Sequence, residues 1–335
     1  MTLRISVVIP AHNRVHLLAE TLDSVLAQDH APHEVIVVDD GSTDATLSML
    51  EAYAGRITVG CIPHSGAMVA RNAGLRLASG DVVAFCDSDD VWLPGHLQSM
   101  ARLWEAAPGL DAAYANFRLV RDGVWAERDK FSDAPPGFFA GARLLGGGLA
   151  LFDEPPFPRL LRFTPFFPSA LAARRDFLLR TGGWDEAAPP GASRDFATAL
   201  RVAEHGRIGL VLSATVSIRQ PARLSPAQVQ RMNLDDAAIL DHVLATRPSL
   251  LPHAAAIRAS ARRRRLQALE TAFVRQDFAA VRAIAARLGA TPPLRVHAKI
   301  GVAALPPGLR TVAARTLLSL GTLRSQTLRR VAQGA

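Results

Sequence analysis

The sequence predicts an α/β fold: a mostly parallel sheet flanked by helices, followed by a helical C-terminal extension. Three observations carry this. Over residues 5–105, short β-branched runs alternate with stretches whose apolar residues recur at helical spacing. The links between them are short, as in strand–helix–strand units whose strands lie parallel. From Pro226 onward the chain becomes rich in Ala, Leu and Arg, again at helical spacing.

The elements follow in order. Ile5–Ile9 reads as a buried strand ending at Pro10. Val15–Gln28 carries Val15, Leu18, Leu22, Val25 and Leu26 on one helical face. Val35–Val38 is a second buried strand, and Asp39-Asp40-Gly41-Ser42 follows it. Asp44 is placed to N-cap a helix over Ala45–Tyr53. Ile57–Ile62 is a third strand and Ala67–Ala78 a helix, with Gly80 after it. Val82–Cys86 is a fourth strand ending in Asp87-Ser88-Asp89-Asp90, and Pro94 opens a helix to about Glu105. In residues 120–165 a Gly146-Gly147-Gly148 run and Pro155, Pro156, Pro158 and Pro165 mark loops, read as an insertion over the site. Ala170–Ala173 is a strand and Arg175–Arg180 a short helix. Ser193 or Asp195 begins a helix to His205, and Ile208–Ile218 is a further strand. The extension predicts helices over Ala227–Ala245, Ala254–Arg275, Phe278–Leu288 and Leu309–Val331, broken by Pro292-Pro293 and Pro306-Pro307.

Composition sets the class. With 335 residues the chain suits one large domain, or one domain plus an appendix. At 49% hydrophobic and 20% charged residues it is neither disordered nor collagen-like. The longest uncharged apolar stretch, Ile208–Ile218, falls far short of the ~20 residues that span a bilayer. The N-terminus lacks the layout of a signal peptide. Two cysteines, Cys61 and Cys86, make neither a disulfide framework nor a four-ligand zinc site. A soluble, cytoplasmic protein is the expectation. Charge is uneven: residues 220–335 hold 18 basic and 5 acidic side chains, against 20 and 25 in residues 1–219. The basic tail suits an anionic surface, or is a solvated helical region.

In open parallel sheets, ligands bind beyond the carboxyl ends of the strands. The polar residues after Ile9, Val38 and Cys86 occupy three such ends and converge on one crevice. Asp87, Asp89 and Asp90 are crowded carboxylates, which call for a cation or a proton. Hard oxygen ligands suit Mg²⁺ or Mn²⁺, and a short acidic loop suits a metal shared with substrate phosphates. Asp39 and Asp40 are placed to accept hydrogen bonds from a nucleobase and a ribose. No Gly-rich phosphate loop follows the first strand, which argues against a nucleotidyltransferase or a dinucleotide oxidoreductase.

Four ordered motifs carry a resemblance. They are Val7-Val8-Ile9-Pro10-Ala11-His12-Asn13-Arg14; Val35-Ile36-Val37-Val38-Asp39-Asp40-Gly41-Ser42-Thr43-Asp44; Ala70-Arg71-Asn72-Ala73-Gly74 with Ala78-Ser79-Gly80-Asp81; and Phe85-Cys86-Asp87-Ser88-Asp89-Asp90-Val91-Trp92-Leu93-Pro94. Together they resemble the family 2 glycosyltransferases over roughly residues 3–220, leaving the tail uncovered. The resemblance implies a GT-A fold, a Rossmann-like sheet whose nucleotide-sugar half (about 1–110) continues into an acceptor half (about 111–220), with 221–335 as a basic helical extension. It implies a nucleotide-sugar donor, most often UDP-linked, a Mn²⁺ or Mg²⁺ cofactor, and inversion at the anomeric carbon. By position, Pro10, His12, Asp39 and Asp40 would line the nucleoside pocket and Arg71 would lie near the base or diphosphate. Asp87, with Ser88 beside it, would approach the ribose or sugar, and Asp89 would hold the metal. His12 stands where relatives usually carry an aromatic residue, and His64 where they often carry a polar one near the base.

On the acceptor side, Gly182-Gly183-Trp184-Asp185-Glu186 resembles the family's Gly-Gly-aromatic-Asp-Glu loop. The segment from Arg194 to Gly206 resembles the helix that begins with the catalytic base, which places that role on Asp195. Arg194 replaces the usual acidic neighbour, and a cation there favours the ionised form of Asp195. Arg219 and Arg223 follow the last strand, where the family carries a basic segment over the diphosphate. Trp184 is either a sugar platform or a buried anchor, and Trp92 reads as core. Expected partners are the donor and a glycan or lipid-linked acceptor of cell-surface polysaccharide. The helix Leu309–Val331, with Arg310, Arg315, Arg324, Arg329 and Arg330 against an apolar face, either lies on an anionic membrane or packs on protein. No nucleic acid is expected, since the Arg-rich tail lacks aromatic interleaving. The alternative function is a non-catalytic nucleotide-sugar-binding or scaffold protein on the same fold, for which Arg194 is the motive.

Overall fold

The computed structural model describes residues 3–191, 193–221, 223–289 and 292–319. The chain divides into two compact units, Met1–Ala188 with Ser193–Arg223, and Pro189–Ala192 with Leu224–Ala335.

The first unit opens with β1 (Ile5–Ala11), α1 (Leu18–Leu26), β2 (Glu34–Asp40), α2 (Thr46–Leu50), β3 (Thr58–Ile62), α3 (Ala67–Leu77) and β4 (Val82–Phe85). It continues through β5 (Val91–Trp92), α4 (His96–Ala106), β6 (Ala112–Arg121), β7 (Val124–Trp125), β8 (Ala142–Gly146), β9 (Leu149–Phe152) and α5 (Phe157–Leu160). It closes with β10 (Leu171–Arg174), α6 (Arg175–Thr181), α7 (Arg194–His205) and β11 (Ile208–Arg219). All strands join one sheet in the order β3-β2-β1-β4-β10-β6-β11-β9-β8, with β5 pairing β11 and β7 pairing β6. The strands β3, β2, β1 and β4 are parallel, as are β6 and β11. Between them β10 runs antiparallel to both β4 and β6.

Burial explains the run-like strands. Ile5, Val7 and Ile9 of β1 pack with Leu18, Leu22 and Val25 of α1 and with Leu97 and Met100 of α4. Val8 points to the opposite face, against α3. A Cβ on Gly74 of α3 would come within 2.3 Å of Val8 and 3.3 Å of Val38, so a side chain there would lift α3 off the sheet. A strand buried on both faces carries no alternation.

Two expectations change. α1 starts at Leu18 rather than Val15, because a turn on the Arg14 carbonyl takes up residues 14–17. Part of the stretch read as an insertion over the site is sheet: β8 and β9 form a hairpin, and β9 pairs antiparallel with β11. Gly146, Gly147 and Gly148 all have positive φ (59–83°) and make its turn.

His96 at the head of α4 is wholly buried, 2.8 Å from the Thr215 hydroxyl, with its ring 4.4 Å from that of Trp92. Burial pushes its pKa down to about 3. The folded protein therefore holds His96 neutral at pH values where the unfolded chain protonates it, near 6.5. Its contribution to stability is whole above about pH 6.5 and falls by about 1.4 kcal/mol per pH unit as pH drops toward 3. His96→Gln is expected to flatten the urea-unfolding pH profile by this slope between pH 6 and pH 4; an unchanged profile would contradict a neutral buried imidazole.

The second unit contains α8 (Pro226–Thr246), α9 (Ala254–Val274), α10 (Phe278–Ala285), α11 (Leu294–Ala304) and α12 (residues 307–319). Ser225 and Gln228 form a capping box at the start of α8. Arg264 and Arg265, the second half of the four-arginine run, pair with Asp236 and Asp241 of α8. Phe273, Phe278, Val281, Ile284, Val296 and Ala314 form its core. Residues 320–331 of the expected terminal helix, with Arg324, Arg329 and Arg330, lie outside the described residues. Among the described residues no helix is long and apolar enough to cross a membrane.

Candidate active site

The parallel register brings the ends of β1, β2 and β4 side by side: Pro10 opposite Val38, Ala11 opposite Asp39, and Val8 opposite Phe85. Beyond them opens a cleft of about 290 Å³ lined by Pro10, His12, Arg14, Asp40, Arg71, Asp87, Ser88 and Asp89. Seven of the residues expected in a donor pocket thus share one cavity.

Asp40 shapes one wall. Its carboxylate accepts the backbone N–H groups of Ser65 (2.6 Å) and Gly66 (2.9 Å), fixing the turn that leads into α3. The His12 and His64 rings stack at 4.1 Å, and both Nδ1 atoms approach the Asp40 carbonyl, at 2.7 and 3.1 Å. Ligand-type atoms of His12, Asp40 and His64 lie within 4.8 Å of one another, but Asp40 is already committed to the backbone. Asp39 does not line the cleft. It is buried, with one oxygen accepting the Ser42 N–H at 3.0 Å and Oδ1 making no hydrogen bond among the described residues. Asp44 accepts Thr46 N–H at 3.0 Å and leads into α2, as a turn residue should.

The acidic loop sorts its carboxylates by partner. Asp87 is ion-paired with the buried Arg71. Asp90 is fully enclosed: it accepts the Ser169 hydroxyl and, at 2.9 Å, the Arg219 N–H, tying β4 to the ends of β10 and β11. Burial and the neighbouring Asp87 push its carboxyl well up. Asp89 remains, facing the cleft with Arg14 at 3.7 Å. Burial, then the Asp87 charge, push its carboxyl up as well. A partly buried carboxylate disfavoured as an anion and open to a cleft fits a hard divalent cation. Cys86 is buried with its thiol pushed up, which leaves it an inert small apolar group.

Trp184 is a buried anchor. Its ring meets Phe85 edge-on at 5.0 Å, and the Arg71 guanidinium lies 4.6 Å from its centroid. Asn72 of α3 clamps the loop, accepting the Trp184 N–H (2.8 Å) and donating to the Trp184 carbonyl (2.9 Å) and to Glu186 (2.7 Å). Asp185 is buried against Arg201 of α7 at 3.0 Å. The loop, Asn72, Arg76 and Arg201 bound a second cavity of about 400 Å³. Asn72→Ala removes three hydrogen bonds and strands the buried Trp184 N–H. It is expected to cost about 2–3 kcal/mol in urea unfolding; a loss below about 0.5 kcal/mol would show that the clamp is not structural.

Asp195 lies in the first turn of α7 and lines a small recess with Tyr114, Phe166, Trp184 and Thr198. Burial, then the Asp195 charge, push the Tyr114 phenol up, so it stays protonated. Arg194 donates to the Glu186 carbonyl at 2.8 Å. Arg219 pairs with Glu20 of α1 at 2.9 Å and is close enough to stabilise the Asp89 charge; Arg223 is exposed. Trp184 therefore walls the Asp195 recess on one side, while Arg71, from the donor-side cleft, packs against its ring.

Sequence reasoning missed Asn72, Tyr114, Ser169 and Arg14 as site builders. Tyr114 lies on β6, whose Ala112, Ala113, Ala115 and Asn116 give no strand signal, and one of only two tyrosines was the clue available.

An α/β sheet with a cleft at three parallel strand ends is an architecture of GT-A type. Residues 6–166, just under half of the chain, match the Glycosyl transferase family 2 model. Over that segment the chain is similar to this family. A UDP-Glc:alpha-D-GlcNAc-diphosphoundecaprenol beta-1,3-glucosyltransferase, WfgD of Escherichia coli, is 32% identical over 120 residues, covering 35% of this chain and 47% of the relative. Across the curated relatives matched, the chain spans between 24% and 53% of their length. Residues 1–349 of S. aureus TarS in complex with UDP superpose with a TM-score of 0.57 at 18% identity, covering 94% of this chain and 87% of that one. The mannosyltransferase PcManGT of Pyrobaculum calidifontis, in complex with GDP-Man and Mn²⁺, gives 0.54 at 22% identity, covering 96% and 87%. Both support the fold.

Proposed function

We propose that the chain is a metal-dependent inverting glycosyltransferase. It moves a sugar from a nucleotide-sugar, UDP-linked, to a hydroxyl of a glycan or lipid-linked acceptor in cell-surface polysaccharide synthesis, at the cytoplasmic face of the membrane. The observation that carries this reading is the convergence of Pro10, His12, Arg71, Asp87 and Asp89 on one cleft at the strand ends. The relative WfgD supports the donor and acceptor classes by its UDP-Glc and diphosphoundecaprenol specificity.

In this reading the His12–His64 stack on the cleft wall receives the base and ribose, while the buried Asp39 holds the Ser42 turn behind it. Asp89, with Asp87 beside it, would hold Mn²⁺ or Mg²⁺, which when bound would supply positive charge for the leaving diphosphate. Arg71, kept in place by Asp87 and Trp184, and Arg14 and Arg219 at the rim add positive charge on the same side. Arg223, exposed a few residues beyond β11, is assigned to the same basic segment in this reading. Asp195 takes the proton from the acceptor hydroxyl, whose oxygen attacks the anomeric carbon from the face opposite the diphosphate. A single displacement needs one base and no covalent enzyme intermediate. The neutral Tyr114 offers a hydroxyl donor beside Asp195. The Trp184-Asp185-Glu186 loop shapes the acceptor side through its backbone, since the Trp184 ring is buried.

The test is transfer itself. The chain is incubated with a panel of nucleotide-sugars and a short prenyl-diphosphate-linked sugar, and the product linkage is read by NMR. An α-linked donor is expected to give a β-linked product. Retained configuration, or no transfer from any donor in the panel, would overturn the reading; donor binding without transfer would favour the scaffold alternative.

A further inference from the structure

We infer that the helical second unit carries a docking surface for an anionic lipid bilayer, centred on Leu305, Leu309 and Val312. α12 has two apolar faces. Ala314, Leu317 and Leu318 pack into the unit's own core with Phe273 and Phe278. Leu309 and Val312, one turn apart, point away from that core and are 62% and 65% exposed; Leu305, just ahead of the helix, is 37% exposed. Arg315 follows Val312 by three residues on the same exposed face. Leu294, 87% exposed at the start of α11, stands next to an exposed arginine, Arg295.

The segment of chain that carries this surface has charge of one sign. After Asp277 the chain contains nine Lys and Arg residues and no Asp or Glu. Some of these cations are engaged: Arg282 donates to the Ala303 carbonyl, Lys299 pairs with Glu270, and Arg310 lies over the Phe278 ring. Arg287, Arg295 and Arg315 are exposed and form no ion pair among the described residues. Exposed aliphatic side chains beside unpaired arginines match a surface that presents phosphate above acyl chain. The same charge disfavours a second copy of this face, which would bring like charges together. It is a poor nucleic-acid surface, because no Phe, Tyr or Trp follows Phe278 to stack on bases. The inference deepens the proposed function by naming the partner of the second unit, and it rests on that reading only for the use made of the membrane.

The experiment is co-sedimentation of the full chain with vesicles of phosphatidylglycerol and phosphatidylcholine, against phosphatidylcholine alone, at 0.05 and 0.5 M salt. Binding is expected to the anionic vesicles only, and to fall with salt. Replacing Arg287, Arg295 and Arg315 by Gln is expected to weaken it on the order of a hundredfold. Leu309→Asp with Val312→Asp, both at exposed positions, is expected to abolish it with unchanged thermal unfolding. No binding to anionic vesicles, equal binding to neutral ones, or binding that both variants leave intact would overturn the inference. So would displacement of the vesicles by a DNA duplex, or concentration-dependent dimerisation lost in the Leu309/Val312 variant. Nucleotide-induced thermal shift, measured in parallel, reports on the cleft alone, so failure of the donor site and failure of the lipid surface are read separately.

Discussion

Asp195→Asn is expected to lower kcat by about 10³-fold while leaving nucleotide binding unchanged. Asn preserves the shape of the side chain in the first turn of α7 and its place in the recess with Tyr114 and Trp184. It cannot take a proton. Because Asp195 lines a recess separate from the Asp87–Asp89 cleft, the UDP-induced rise in Tm should match that of the native chain. The loss should therefore appear in kcat and not in donor affinity, and the low-pH limb of the kcat profile should vanish with it. Unchanged transfer by Asp195→Asn would move the base elsewhere and leave the residue as the start of a helix.

Asp89→Ala is expected to remove the metal-dependent part of donor binding and to cut kcat/KM by about 10²–10³-fold. The loop divides its charges unequally. Asp87 has Arg71 and Asp90 has the Ser169 hydroxyl and a backbone N–H, whereas Asp89 has only Arg14 at 3.7 Å and more distant charges. Its raised carboxyl reflects burial and repulsion by Asp87 that a bound cation relieves. Titration with Mn²⁺ in the presence of UDP measures this directly. If Asp89→Ala keeps full Mn²⁺ dependence, another group holds the cation.

The half of the sheet that carries the cleft was legible in the sequence for a physical reason. Parallel strands buried on both faces are near-continuous apolar runs, and the residues that follow them fall at one edge of the sheet. Ile5–Ile9, Val35–Val38 and Val82–Cys86 announce themselves in this way, and the cleft residues follow from chain order. The other half of the sheet was less legible because its strands take their stability from position. β6 is rich in Ala and carries Asn116, yet lies centrally between β10 and β11. The glycine run at 146–148 signals a turn but not the hairpin it closes. Within the motifs the structure adds partners that spacing does not show: Asp40 holds backbone and Asp185 holds Arg201. Spacing identifies such residues but does not say which of their oxygens are already taken.

The central claim is that the cleft at the ends of β1, β2 and β4 binds a nucleoside diphosphate with a divalent cation. The most direct measurement is the thermal unfolding of the native chain with UDP, with and without Mn²⁺. The account predicts a rise on the order of 5 °C at a hundredfold excess over Kd, present only with the metal. The same Tm with every nucleoside diphosphate, whether or not Mn²⁺ is added, would contradict it.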